Sequence, residues 1–114
     1  MFSSDHDPNA LSVRVNSARM PKFLNKHVRL PCKVLKLSGD TATVQASDGG
    51  EVNVHLLPNE NITETYVEII GKVVEPTMIQ MLACINLGPD LDLKLVNDTI
   101  ELIHDSRFYG KMFS

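Results

Sequence analysis

Four histidines, two cysteines and fourteen carboxylates are the side chains with which this chain could hold a metal or move a proton. A zinc site needs four ligands, ordinarily in closely spaced pairs. His27, Cys32, His55 and Cys84 are instead scattered singly along the sequence, and neither cysteine has a CxxC partner. Both cysteines therefore read as reduced thiols packed inside the domain, in a reducing compartment. His104-Asp105 resembles a metal-binding dipeptide, but both residues fall in the polar sector of a helix with no other histidine nearby in sequence, and the pattern reads as a solvated pair. Asp5-His6-Asp7 belongs to a polar terminal stretch, and His55 stands alone on the outer side of a strand pattern. There is no GxSxG, no glycine-rich phosphate loop and no HExxH, the patterns that normally hold a nucleophile, a nucleotide or a catalytic zinc. The chain is expected not to be an enzyme, and to use no metal, cofactor or small-molecule substrate.

Charge offers a second kind of chemistry. Arg14, Arg19, Lys22, Lys26, Arg29, Lys33 and Lys36 all lie within residues 8–39, which contain no acid, whereas residues 40–114 hold twelve acids against four bases. A basic segment on an acidic body can attract phosphate backbones, and a solvated strand face accounts for the same pattern. Tight binding of single strands by small barrels also relies on bases stacked on aromatic rings, at roughly 1–3 kcal/mol each. The aromatic residues are Phe2, Phe23, Tyr66, Phe108, Tyr109 and Phe113, with no tryptophan, and four of the five strand-like segments contain none. The isolated chain is expected to bind single-stranded DNA weakly, through Arg29, Lys33 and Lys36 and residues 14–26.

The elements that must carry these residues show in the hydropathy pattern. Residues 1–12 are polar and broken by Pro8, as in a flexible tail. Residues 15–26, interrupted by Pro21, suit a turn or short helix. HVRLPCKVLKL, TATVQAS and EVNVHLL then alternate apolar and polar side chains with the period of two that marks half-buried strands; Asp48-Gly49-Gly50 between the last two is a hairpin signal. YVEIIGKVVEP and TMIQMLACINLG supply two more strands across the Glu75-Pro76 break, and Gly71 inside the first of them suits a bend or bulge. Five short strands in 114 residues point to an all-β fold, a partly open five-stranded barrel of the OB type over residues 13–90, rather than a sandwich. No early apolar run resembles a signal peptide and no stretch of about 20 apolar residues occurs, so a soluble, intracellular protein without membrane attachment is expected.

Residues 91–110, LDLKLVNDTIELIHDSRFYG, read as a C-terminal helix capped by Asp90 or Asp92. At roughly 100° per residue, Leu91, Leu95 and Leu102 share one stripe. Val96, Ile100 and Ile103 share another, with Leu93 at its margin. Lys94, Asn97, Asp98, Glu101, His104 and Asp105 fill the remaining sector. Apolar residues thus span about 200°, twice the stripe a helix needs to dock on its own domain. One face is left over.

A barrel without a stacking platform that ends in such a helix resembles the small subunits of replication protein A, the eukaryotic single-stranded DNA-binding heterotrimer. The resemblance covers about residues 12–109. It rests on YVEIIGKVVEP and on DLKLVNDTIELIHDSRFY, with its Ile103-His104-Asp105 and Phe108-Tyr109 elements. It implies a nuclear protein of DNA replication, repair and recombination. The terminal helix would join one helix from each of the large and middle subunits in a three-helix bundle, with Leu91, Leu95, Val96, Ile100, Leu102 and Ile103 as the subunit interface. Single-stranded DNA would be bound mainly through the complex. Two other readings stay open: a small OB subunit of another genome-maintenance assembly of the telomere-capping type, and a free-standing, weak oligonucleotide-binding domain.

Overall fold

Period-two alternation becomes strand wherever it was expected. The computed structural model describes residues 13–58 and 62–105. In chain order these form β1 (Val13–Arg14), a 3₁₀ helix (Ser17–Phe23), β2 (His27–Ser38), β3 (Thr41–Ala46), β4 (Glu51–His55), β5 (Tyr66–Glu75), β6 (Met78–Gly88) and α1 (Leu93–Ile103). Along β3 and β4 every second residue is buried, Ala42, Val44, Ala46, Val52 and Val54, while their neighbours face outward. The sheet runs β1-β2-β3-β4-β6-β5, and β5 pairs back onto β2, closing the five long strands into a barrel. This is the expected all-β OB barrel with a C-terminal helix. The addition is β1, two residues paired in parallel with β2 through Val13 to Val28 and Arg14 to Arg29. It is too short for any periodicity to reveal it.

Gly71 acts as expected. The β5–β6 register slips between Ile70 and Gly71, and a Cβ at Gly71 would lie 2.2 Å from the Gln80 carbonyl oxygen and 2.6 Å from the Ile79 side chain. Only glycine lets the bent strand come this close to β6. Inside, Met20, Val28, Leu30, Val44, Val54, Val67, Ile69, Ile79 and Met81 are fully buried, and the core lies within the ring of strands.

Cys32 is fully buried, with its Sγ 3.6 Å from the Val67 carbonyl oxygen. Burial pushes its thiol above the ordinary range, with Cys84 and Glu68 adding to the effect. Cys84, expected to be equally enclosed, is only half-buried. It lies near the end of β6, where Ile85 and Asn86 beside it are already exposed.

Among the described residues the helix begins two residues later than expected and its last helical residue is Ile103. Asp92 caps it, its carboxylate accepting the Leu95 N–H at 3.1 Å, and the helical residues run from Leu93 to Ile103. The proposed tail at 1–12, and residues 106–110 with Phe108 and Tyr109, lie outside the described residues. Among the described residues no helix is long and apolar enough to cross a membrane.

Candidate assembly face

The seat of α1 begins with Asn16. This residue is 1% exposed and caps the 3₁₀ helix, its Oδ1 accepting the Arg19 N–H at 3.2 Å. Its Nδ2 faces α1 and donates to Asn97 Oδ1 at 2.8 Å and to Glu101 Oε2 at 2.7 Å. Asn97 Oδ1 also accepts from Ser47 Oγ at 3.0 Å. Arg19 grips Glu101 with two bonds, Nη2 to Oε1 at 2.7 Å and Nε to Oε2 at 3.0 Å. One turn on, His104 Nε2 donates to the Arg14 carbonyl oxygen at 2.9 Å, and its ring meets Phe23 edge-on at 5.8 Å. Amid these polar contacts Ile100 is fully buried, flanked by half-buried Val96 and Ile103.

The 3₁₀ helix that presents Asn16 and Arg19 is itself anchored to the β3–β4 hairpin. Asp48 accepts from Ser17 Oγ at 2.8 Å and from the Ala18 N–H at 3.0 Å. Burial alone would raise the Asp48 carboxyl, but its hydrogen bonds from Ser17, Ala18 and Gly50 outweigh that and hold it below the usual value. The Arg19 and Asn16 hydrogen bonds pull the Glu101 carboxyl down to about 2. The helix is therefore docked by charge-assisted and neutral hydrogen bonds around a single sealed apolar side chain.

This corrects the expectation for the polar sector. Asn97, Glu101 and His104 face the barrel, and His104-Asp105 is not a solvated pair: both residues are half-buried. The reason is that the dry Asn16 amide needs acceptors, and α1 supplies them. It also corrects the interface list, since Ile100 is enclosed by its own domain. The outward stripe is the leucine one: Leu95 is 63% and Leu102 53% exposed, with Lys94, Asp98 and Thr99 exposed between, whereas Leu91, expected on the same stripe, precedes the Asp92 cap and is half-buried.

The expected DNA contact is likewise divided. Glu68, its side chain 3% exposed, pairs with Arg14 Nε at 2.7 Å and with Arg29 Nη1 at 3.4 Å. Arg29 thus has a carboxylate partner inside the domain, while a quarter of its side chain stays exposed. Lys33 is half-buried opposite Tyr66 in the β2–β5 register, and Lys36 is exposed opposite Thr43. Lys22, Lys26 and Lys72 are exposed at the other end of β2, where His27 pairs with Lys72. The outer face of β3 and β4 presents Thr41, Thr43, Gln45, Glu51, Asn53 and His55, with no phenylalanine, tyrosine or tryptophan ring among them and a single imidazole at His55. No group of three potential metal ligands occurs among the described residues.

Sequence reasoning missed Asn16, Asn97 and Glu68. Glu68 carried a signal, a lone carboxylate inside the apolar run VEII, which as a rule means a buried partner. Asn16 carried a weaker one, as a capping type before a short helix. Asn97 carried none.

Comparison with known proteins follows the same lines. The sequence model of the family described as Replication factor A protein 3 matches residues 7–108. The Replication factor A protein 3 of Schizosaccharomyces pombe is 25% identical over 101 residues, covering 88% of this chain and 92% of its own length. Among solved structures, a chain in the Ustilago maydis replication protein A bound to single-stranded DNA superposes with a TM-score of 0.81 at 28% identity, over 90% of this chain and 95% of that one. A chain of the S. pombe Stn1-Ten1 complex reaches a TM-score of 0.64 at 10% identity, over 79% of this chain and 89% of its own. That second likeness is one of fold alone.

Proposed function

Because the chain belongs to the Replication factor A protein 3 family, we propose that it is the small, non-catalytic assembly subunit of a nuclear replication protein A heterotrimer. Its α1 would pack with one helix from each of the large and middle subunits. The complex would engage single-stranded DNA in replication, repair and recombination, and this subunit would add little direct contact. The observation that carries the reading is the orientation of α1, with its leucines out and its polar groups in. Solvent-facing leucines cost little singly, but a stripe of them on a helix whose other face is already satisfied is surface awaiting a partner. The U. maydis relative, a replication protein A bound to single-stranded DNA, supports the same role. The Stn1-Ten1 likeness is the weaker one in both identity and overlap and does not favour a telomere-capping role over it.

The test is co-expression of this chain with the large and middle subunits of its own source. The double variant Leu95→Glu/Leu102→Lys should remain folded, with an unchanged melting midpoint, yet fail to co-purify with them. Full recovery of the heterotrimer with the double variant would refute the assembly role of this face.

A further inference from the structure

Every arginine among the described residues has a carboxylate partner within the domain, Arg14 and Arg29 on Glu68 and Arg19 on Glu101. No lysine among them is in an ion pair. Lys94 stands on α1 between Asp92 and Asp98, Lys33 is half-buried, and Lys36 lies near the turn that carries Asp40. The other exposed lysines, Lys22, Lys26 and Lys72, meet at one end of the barrel.

Backbone hydrogen bonds bring them there. Lys22 is in the last turn of the 3₁₀ helix. The chain then reverses, with the Phe23 carbonyl oxygen accepting the Lys26 N–H at 2.9 Å and Asn25 at a φ of 65°. This turn is bonded to β5: the Asn25 N–H donates to the Val73 carbonyl oxygen at 2.7 Å, and the Lys26 carbonyl oxygen accepts the Val73 N–H at 3.0 Å. In the next pair His27 stands opposite Lys72, and Lys72 stands opposite Gln80 on β6. Their neighbours along the strands, Val28, Gly71, Val73, Ile79 and Met81, are buried. His27, Lys72 and Gln80 therefore form an outward row about 10 Å long, two strand spacings. Gln80 Nε2 makes only long bonds, 3.4 Å to each of the His55 and Met81 carbonyl oxygens. Neither the turn nor the row contains a carboxylate; Glu75 follows farther along β5.

These side chains share one ligand chemistry. Lysines on flexible stems meet phosphate as point charges, an amide such as that of Gln80 donates to phosphate oxygens, and an imidazole offers a face to an unpaired base. We infer that the Lys22–Lys26 turn and the His27–Lys72–Gln80 row form a contact for the phosphodiester backbone of single-stranded DNA, at the opposite end of β2 from Lys36. The contact works by charge rather than by a stacking platform. It is appreciable at low salt and slight near physiological salt, in keeping with the small direct contribution proposed above. It is a property of the chain alone and does not depend on the assembly role.

The experiment titrates a fluorescein-labelled oligothymidylate with the isolated full chain over a series of salt concentrations. Each phosphate neutralised on a single strand contributes about −0.7 to the logarithmic salt slope. Lys22→Gln/Lys26→Gln/Lys72→Gln should therefore make the slope shallower by about 2, with at least a tenfold loss of affinity at low salt. Lys33→Gln/Lys36→Gln should leave slope and affinity unchanged, and melting midpoints check that both variants stay folded. A photo-crosslinking amino acid at position 72 of the otherwise unaltered chain should attach to the oligonucleotide, alone and in the co-purified heterotrimer. Absence of binding by the parent at low salt, an unchanged slope in the triple variant, or an equal loss in the Lys33/Lys36 pair would overturn the inference. So would a crosslink from position 72 to another subunit in place of DNA, which would make this end of the barrel a protein contact. If no heterotrimer forms, the assembly role fails, and titration of the isolated chain still decides this contact.

Discussion

α1 places polar groups on its inner face beside Ile100, Val96 and Ile103, and leucines on its outer face beside Lys94, Asp98 and Thr99. Toward the barrel it presents Asn97, Glu101 and His104 around one buried isoleucine; toward solvent it presents Leu95 and Leu102. Each neutral hydrogen bond on the inner face contributes only about 0.5–1.5 kcal/mol net, and Ile100 roughly 1.5–3 kcal/mol by burial. What the inner face supplies beyond energy is direction. Turning the helix by one residue would strip Asn16 of its acceptors, at about 1–3 kcal/mol for a dry unsatisfied donor, and would lift Ile100 from its seat. An all-leucine inner face would tolerate such slippage. Hydrogen bonds that hold one rotation keep the leucine stripe aimed outward, and a surface kept in place before binding costs less to order on association.

If that contrast is right, substitutions on the inner face should damage the lone chain in proportion to what they leave unpaired. Ile100→Asp should do most, since it buries an unpaired carboxylate and opens a void: about 4 kcal/mol of stability lost, read as a lowered denaturant midpoint with loss of helical circular dichroism. A midpoint within experimental error of the parent would mean that α1 is not docked as described.

Asn16→Ala comes next, at about 2 kcal/mol, because it removes the cap of the 3₁₀ helix and both donors to α1 together. A double-mutant cycle with Glu101→Ala should be strongly non-additive, since the two residues share a hydrogen bond. Additive losses would show that the Asn16–Glu101 contact does not hold the helix.

Acid should act on the same contact more gently. With its folded value near 2 against about 4.3 for a free glutamate, Glu101 contributes stability that is present above the free value and fades as pH falls toward 2. Asp48, also lowered, fades in the same direction. The part due to α1 is therefore the difference between the parent and Glu101→Gln: the parent should lose more stability between about pH 5 and pH 2. Glu101 is nearly half exposed and solvent screens the pair, so the difference is small. Parallel pH profiles would remove Glu101 from the docking.

What could be read before the fold was known follows from how each feature is encoded. The barrel was legible because alternation in TATVQAS and EVNVHLL reports burial residue by residue, and Gly71 was legible because a glycine within an apolar strand has few other uses. The two stripes of α1 were legible as well, but not which of them faced the barrel. Periodicity gives angles around a helix axis and no information on what the opposing surface lacks. Here the opposing surface displays an amide, Asn16, contributed by a segment 81 residues away from Asn97. The same blindness hid the pairing of Arg29 with Glu68, which is 39 residues away and on a different strand.

The smallest effect on the lone chain belongs to the outer face. Leu95→Glu/Leu102→Lys should change its stability by less than about 0.5 kcal/mol, as surface substitutions usually do, and the sign should lean toward stabilisation. Position 95 is the third residue of the helix after the Asp92 cap, where a glutamate can return a hydrogen bond to the cap backbone. Position 102 is in the last turn, which carries no basic residue, and a lysine there complements the negative end of the helix dipole. Both replacements are good helix formers, so no loss of propensity masks the result. The measurement is a denaturant midpoint of the isolated double variant beside that of the parent. A fall comparable to that of Asn16→Ala would mean that the leucines pack against their own domain, and the contrast between the two faces would disappear. An unchanged or raised midpoint, together with lost co-purification, would mean that these leucines serve another chain.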